Sequence, residues 1–88
     1  MAEVFLSKLA EDELRGLSPG DQQDAARAIS FLEDDLFREQ NKVNLVLVED
    51  GKEIFALVVG TIWLGFYEDN DDSIMLIHLS VRSRFRPF

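Results

Sequence analysis

Arg82, Arg84 and Arg86 alternate near the end of the sequence. In an extended strand that spacing turns all three guanidinium groups to one face. Clustered arginine suits the planar, bidentate recognition of phosphate. The plainer reading is a solubilising end that pairs with acids on the protein's own surface. His78, the single histidine, lies just upstream in an apolar run. Facing a cleft it would be an acid–base group; facing the core it would be a hydrogen-bonded structural one. Trp63, Phe66 and Tyr67 form an aromatic set in which Trp63 and Tyr67 share strand parity and Phe66 faces the other way. Such side chains stack on a base, anchor a partner, or fill a sheet core.

Other chemistries find no support in the residue pattern. There are no cysteines, which excludes disulfides and thiolate metal sites. The acidic stretch Glu68–Asp72 lacks the spaced ligands and the glycine of a calcium loop. No Ser-His-Asp spacing, phosphate loop or His-Cys cluster is present. The sequence therefore predicts no metal and no cofactor.

The 88 residues, 47% hydrophobic and 30% charged, have the mixture of an ordinary globular domain,. They are expected to form a single domain over 1–88, small enough that a partner chain covering further apolar surface is plausible. The acidic N-terminal stretch is unlike a secretory signal. The longest apolar runs, FALVV and IMLI, fall far short of the roughly 20 residues of a membrane span. The sequence thus suggests a soluble, cytoplasmic protein with no membrane partner. Net charge is −8, and residues 1–81 hold all 17 acids against six basic residues, a balance of −11. An acidic body disfavours general affinity for nucleic acid, because phosphate contacts supply most of that binding energy.

These residues need elements to carry them. Ala2–Ser7 reads as a short strand with Val4 and Leu6 on one face, or as a helix that begins at once. Ser7 is a suitable N-cap for the next helix, which places Leu9, Ala10, Leu14 and Leu17 at helical spacing and ends near Gly16. Ser18-Pro19 is a second helix start, with Asp21 supporting it. From Pro19 to about Glu39 the pattern predicts one helix with Ala25, Ala28, Ile29, Leu32 and Leu36 inward, widened by Phe31 and Phe37. Glu33, Asp34 and Asp35 read as its solvated face. The short connection makes the two helices a hairpin. The period then changes, and strands are predicted at Val43–Val48, Ile54–Val59, Ile62–Tyr67 and Ile74 to about Arg82. Asp50-Gly51, Gly60-Thr61 and the loop Glu68–Ser73 connect them as a meander.

The order of strand, helical hairpin and meander resembles the RelE/ParE toxin superfamily of bacterial and archaeal toxin–antitoxin systems. The stretch FALVVGTIWLGFYEDNDDSIMLIHLSVRSRF is the most similar part, with its strand, glycine turn, strand, acidic turn and final strand closing on a basic-aromatic end. The resemblance implies an α+β fold with a twisted sheet and a concave site. It implies a cognate antitoxin as partner, and a target that is either mRNA in the ribosome or DNA gyrase. Ribonuclease members need no metal. They hold the scissile phosphate with basic side chains while another group helps to activate the ribose 2′-hydroxyl.

Carried onto this sequence, the resemblance makes Arg82, Arg84 and His78 the catalytic candidates, and Trp63, Tyr67, Phe85 and Arg86 the binding candidates. It also departs from the pattern. Trp63 stands where many members carry arginine, and Phe85 where many carry tyrosine. The segment 25–40 has only Arg27 and Arg38 against four acids. The alternative is a non-catalytic interaction module on the same fold, including an acidic mimic that blocks a nucleic-acid-binding surface of another protein.

Overall fold

The computed structural model describes residues 2–49, 51–69 and 72–81. Within them the chain forms strand β1 (Glu3–Leu6), helices α1 (Lys8–Arg15), α2 (Pro19–Leu32) and α3 (Asp35–Asn41), and strands β2 (Val43–Glu49), β3 (Lys52–Val59), β4 (Ile62–Asp69) and β5 (Ser73–Val81). The strands make one sheet in the order β1-β5-β4-β3-β2. The meander β2 to β5 is antiparallel, and β1 adds to β5 in parallel. No helix among the described residues is long and apolar enough to cross a membrane.

The N-terminal segment is a strand, not an early helix, and Ser7 is the hinge between β1 and α1. Its Oγ accepts the Ala10 N–H at 3.1 Å and donates to the Ile77 carbonyl at 3.1 Å. One hydroxyl thus caps α1 and fixes it to the far end of the sequence. Ser18 caps α2 in the same way, accepting from Asp21 N–H at 3.3 Å, with Pro19 at the first turn. Gln22 Nε2 donates to the Leu14 carbonyl at 3.2 Å and so closes the junction of α1 and α2.

The long second helix expected from the sequence is broken. α2 stops at Leu32, and α3 starts afresh with Asp34 as N-cap, its carboxylate accepting the Phe37 N–H at 3.1 Å. Arg38 stabilises the break from the other side. It is 7% exposed, and its Nη1 donates to the Leu32 carbonyl at 2.5 Å, supplying a donor that the end of α2 lacks,. Its Nη2 meets Asp35 at 3.0 Å and its Nε meets Glu68 at 3.0 Å. Asp34 and Asp35, read with Glu33 as a solvated face, are exposed as expected, and they also serve as a cap and an ion-pair partner. Leu36, read as inward, is 68% exposed because the break rotates α3 out of register with α2. Leu9 in α1 is also exposed.

One face of the sheet builds the core. Leu57, Ile62, Leu64, Phe66, Ile74, Leu76, Leu79 and Val81 pack with Ala10, Ala25, Ala28 and Leu32 of the helices. The small alanines let α1 and α2 lie close to the strands. The turn between β3 and β4 is the two-residue Gly60-Thr61, with Gly60 at φ 61°, the positive value that such a hairpin requires,. The polar loop expected from Glu68 is shorter than predicted, since β4 runs on to Asp69, which pairs with Ser73. Glu68 is consequently a strand residue on the helical side, where it also takes Lys42 Nζ at 2.9 Å.

A bulge in β5 sets the orientation of its last residues. Phe66 pairs with Leu76 and Gly65 with His78, so Ile77 has no partner on β4. The extra residue shifts the alternation by one. Leu79 and Val81 return to the core, and His78 and Ser80 turn to the opposite face.

The open face of the sheet as a candidate binding site

Residues directly opposite each other in adjacent strands share a face, so the register defines the surface away from the core. Val58, Trp63 and Ser80 form one row, and Ala56, Gly65 and His78 the next. Tyr67, Met75 and Phe5 form a further row. Trp63 is 37% exposed, His78 50% and Phe5 47%. The structure thus brings Trp63, Tyr67 and His78 onto one face, with Gly65 between the two aromatics on β4 and directly across from His78. A Cβ at Gly65 would stand 3.4 Å from the His78 Cβ, so glycine keeps a shallow floor beside the imidazole. Phe66 points the other way and is fully buried.

His78 is held by a residue that sequence reasoning missed. Its Nδ1 lies 3.0 Å from Glu13 Oε2, while Glu13 Oε1 accepts the Leu79 N–H at 2.9 Å. β1 ends at Leu6, opposite Leu76, so among the described residues the β5 backbone beyond the bulge has no strand on that side. Glu13 from α1 fills the place with one oxygen and orients the imidazole with the other. The only sequence signal was its position three residues after Ala10, on the flank of the buried side of α1. With Nδ1–H directed at the carboxylate, the neutral imidazole presents Nε2 as an acceptor. The pair can hold or move a proton at that atom.

The electrostatics offer little to a phosphate. Among the described residues, the cation placed on this face is Lys52, whose Nζ meets Asp69 Oδ1 at 2.8 Å and lies 5.9 Å from the Tyr67 ring centre. The hydrogen bond that Lys52 donates to Asp69 raises the Lys52 pKa. On the helical side, burial pushes the Glu68 carboxyl up, but hydrogen bonds from its neighbours, Lys42 first, outweigh that and leave it below its ordinary value. Lys42 is raised in turn, its burial outweighed by Glu68 and Glu39. The candidates Arg82, Arg84, Phe85 and Arg86 lie outside the described residues.

An α+β domain with helices on one face of a five-stranded sheet and an aromatic, histidine-bearing opposite face is the class defined by this geometry. No family model matches the chain, and no curated protein matches it. Two solved structures share the fold. One is the archaeal RelE–RelB complex from Pyrococcus horikoshii OT3, with a TM-score of 0.68, 18% identity, and coverage of 96% of this chain and 98% of that one. The other is the RelBE2 toxin–antitoxin complex of Mycobacterium tuberculosis, with a TM-score of 0.67, 21% identity, and coverage of 92% and 98%. The fold is therefore RelE-like almost from end to end, as the order of elements in the sequence implied.

Proposed function

We propose that the chain is the toxin-like component of a type II toxin–antitoxin pair, built as a single RelE/ParE-like domain and neutralised by a cognate antitoxin. The observation that carries this reading is the extent of the likeness, since both similar structures are complexes of such pairs and nearly the whole of each chain is matched. Its action would be on translation, as metal-independent cleavage of mRNA at the ribosome, or on gyrase. In the first case His78, oriented by Glu13, is the candidate acid–base group, and Trp63 and Tyr67 are candidate base-stacking residues. Arg82, Arg84 and Arg86 are the candidate phosphate-binding residues of this reading, and Phe85 a further binding candidate. The setting is cytoplasmic.

Controlled expression in a bacterial host tests the proposal. Growth should arrest on induction, and Arg82→Ala with Arg84→Ala should relieve it. Normal growth at high expression of folded protein defeats the toxin reading. A second reading is favoured by Trp63, which occupies the place of a family arginine on a face whose described cation is already paired. In that reading the domain is a non-catalytic interaction module, including an acidic mimic of nucleic acid. It predicts no arrest, and retained binding to a protein partner by the isolated chain.

A further inference from the structure

β2 has the sequence of a central strand in the position of an outer one. It reads Val-Asn-Leu-Val-Leu-Val-Glu, with aliphatic residues at both parities. Such runs belong to strands covered on both faces. Yet among the described residues β2 terminates the sheet, with β3 on one side and no strand on the other. Val43, Val46, Leu47 and Val48 are between 57 and 89% exposed. Outer strands are ordinarily kept short, charged or interrupted by proline. β1, at the opposite edge, is only four residues long and begins with Glu3. β2 spans seven, and Asn44 is its polar residue before Glu49.

The bulge between Asn44 and Leu47 bends this edge without polar cover. Val46 sits there at φ 56°, a conformation that β-branched residues avoid, with its N–H accepted by Asn44 Oδ1 at 2.8 Å,. The result leaves Val46, the most exposed large aliphatic among the described residues, on the outer strand of the sheet.

The charge around the edge selects the occupant. The neighbouring cations are already engaged, Lys42 with Glu39 and Glu68 and Lys52 with Asp69. Glu53, paired with Val48 across β3, is exposed and meets the neutral Asn44 amide at 3.4 Å. A second copy of the chain would bring one net charge of −8 against another, which opposes association. A basic partner would be attracted.

We propose that the outer edge of β2 is a docking site for an extended segment of a partner protein, with apolar residues at alternating positions and flanking lysine or arginine. The segment adds a strand by backbone hydrogen bonding, its apolar side chains cover Val43, Val46, Leu47 and Val48, and its basic residues lie near Glu53. The inference rests on the edge alone and holds whether or not the chain arrests growth.

Selection from a phage-displayed library of random peptides of about twelve residues tests it. The full chain serves as bait, and the Val46→Lys/Val48→Lys variant is used for counter-selection. Both positions are exposed, so the variant keeps its fold; its thermal unfolding is compared with that of the parent. Selected peptides should be basic with alternating aliphatics, protect the 43–48 amides from exchange, and bind the variant roughly tenfold or more weakly, about the loss of one buried aliphatic contact. Glu53→Gln should weaken binding less, and raising salt from about 50 to about 500 mM should weaken it in the parent. Acidic or neutral selected peptides, protection outside β2, or a failure to select any edge-dependent peptide overturns the proposal. A parent dimer in sedimentation that the double variant abolishes overturns it in favour of a second copy.

Discussion

Arg38 Nε lies 3.0 Å from Glu68 Oε2, joining the break between α2 and α3 to β4 across thirty positions of sequence. The guanidinium is buried, also holds the Leu32 carbonyl, and so ties the end of one helix to the sheet beneath it. Removing it leaves the carbonyl without this donor and the partly covered Glu68 carboxylate with Lys42 alone on its other oxygen. Arg38→Met is expected to destabilise the fold by about 2–3 kcal/mol, less than a fully buried pair because Glu68 keeps part of its side chain in water. Urea unfolding checks this. Pairing Arg38→Met with Glu68→Leu should recover part of the loss, and equal loss in both variants would show that the carbonyl contact dominates.

The same cluster gives stability a dependence on acid. The folded pKa values of Glu68 and Asp35 lie below their ordinary values, Asp35 chiefly through its hydrogen bond from Arg38. As pH falls below the ordinary value of 4.5 for Glu68, the unfolded chain takes up protons first, so the contribution is lost until the folded pKa is passed. The urea midpoint should fall between about pH 6 and about pH 3, and fall less steeply in Glu68→Gln. Lys42 and Lys52 are raised, so their contribution is present at neutral pH and lost as pH rises through and above 10.5. A midpoint that rises on acidification would contradict this assignment.

Glu13 supports both the β5 backbone and His78. Glu13→Ala leaves the Leu79 N–H without its acceptor and should cost about 1–2 kcal/mol, while Glu13→Gln, which keeps an acceptor, should cost less. Nitrogen NMR of the neutral imidazole should find the proton on Nδ1 in the parent. In Glu13→Ala that preference should disappear. An Nε2–H tautomer in the parent would remove His78 as an oriented base.

Val46 is strained and makes little use of its side chain. At φ 56° and 89% exposure, replacing it with glycine sacrifices almost no burial and removes the Cβ clash. Val46→Gly should raise stability by about 0.5–1 kcal/mol in urea unfolding, since a left-handed conformation costs roughly 1–2 kcal/mol and glycine returns part of that as chain entropy. Lower stability would mean that the side chain packs in solution.

Local signals were legible in the sequence where one residue does a local task. Ser7, Ser18-Pro19 and Gly60-Thr61 set caps and a turn through contacts a few residues away, and the structure uses them so. The break at residues 33–34 was hidden because Leu36 continues the spacing of Leu32, while the determinant is Arg38 reaching back to a carbonyl. The β5 bulge was hidden too. Strict alternation cannot reveal that Ile77 is skipped, and so cannot say which way His78 turns. Trp63 and Tyr67 shared a face by parity alone, but their company with His78 depends on strand register. β2 was recognised as a strand, whereas its place at the edge is a property of the whole topology.

The parallel pairing of β1 with β5 also orders events in time. Glu3 pairs with Ser73 and Leu6 with Leu76, so β1 leaves the ribosome well before the strand it pairs with is made. Until then the helices can form and the meander can begin, but the sheet has no N-terminal border, and Ser7 has no Ile77 carbonyl to hold. Completion of the fold is therefore a late, long-range step. During synthesis the two ends of the sheet are differently vulnerable: β2 is paired on one side as soon as β3 emerges, while β1 is without a neighbour until nearly the whole described sequence exists.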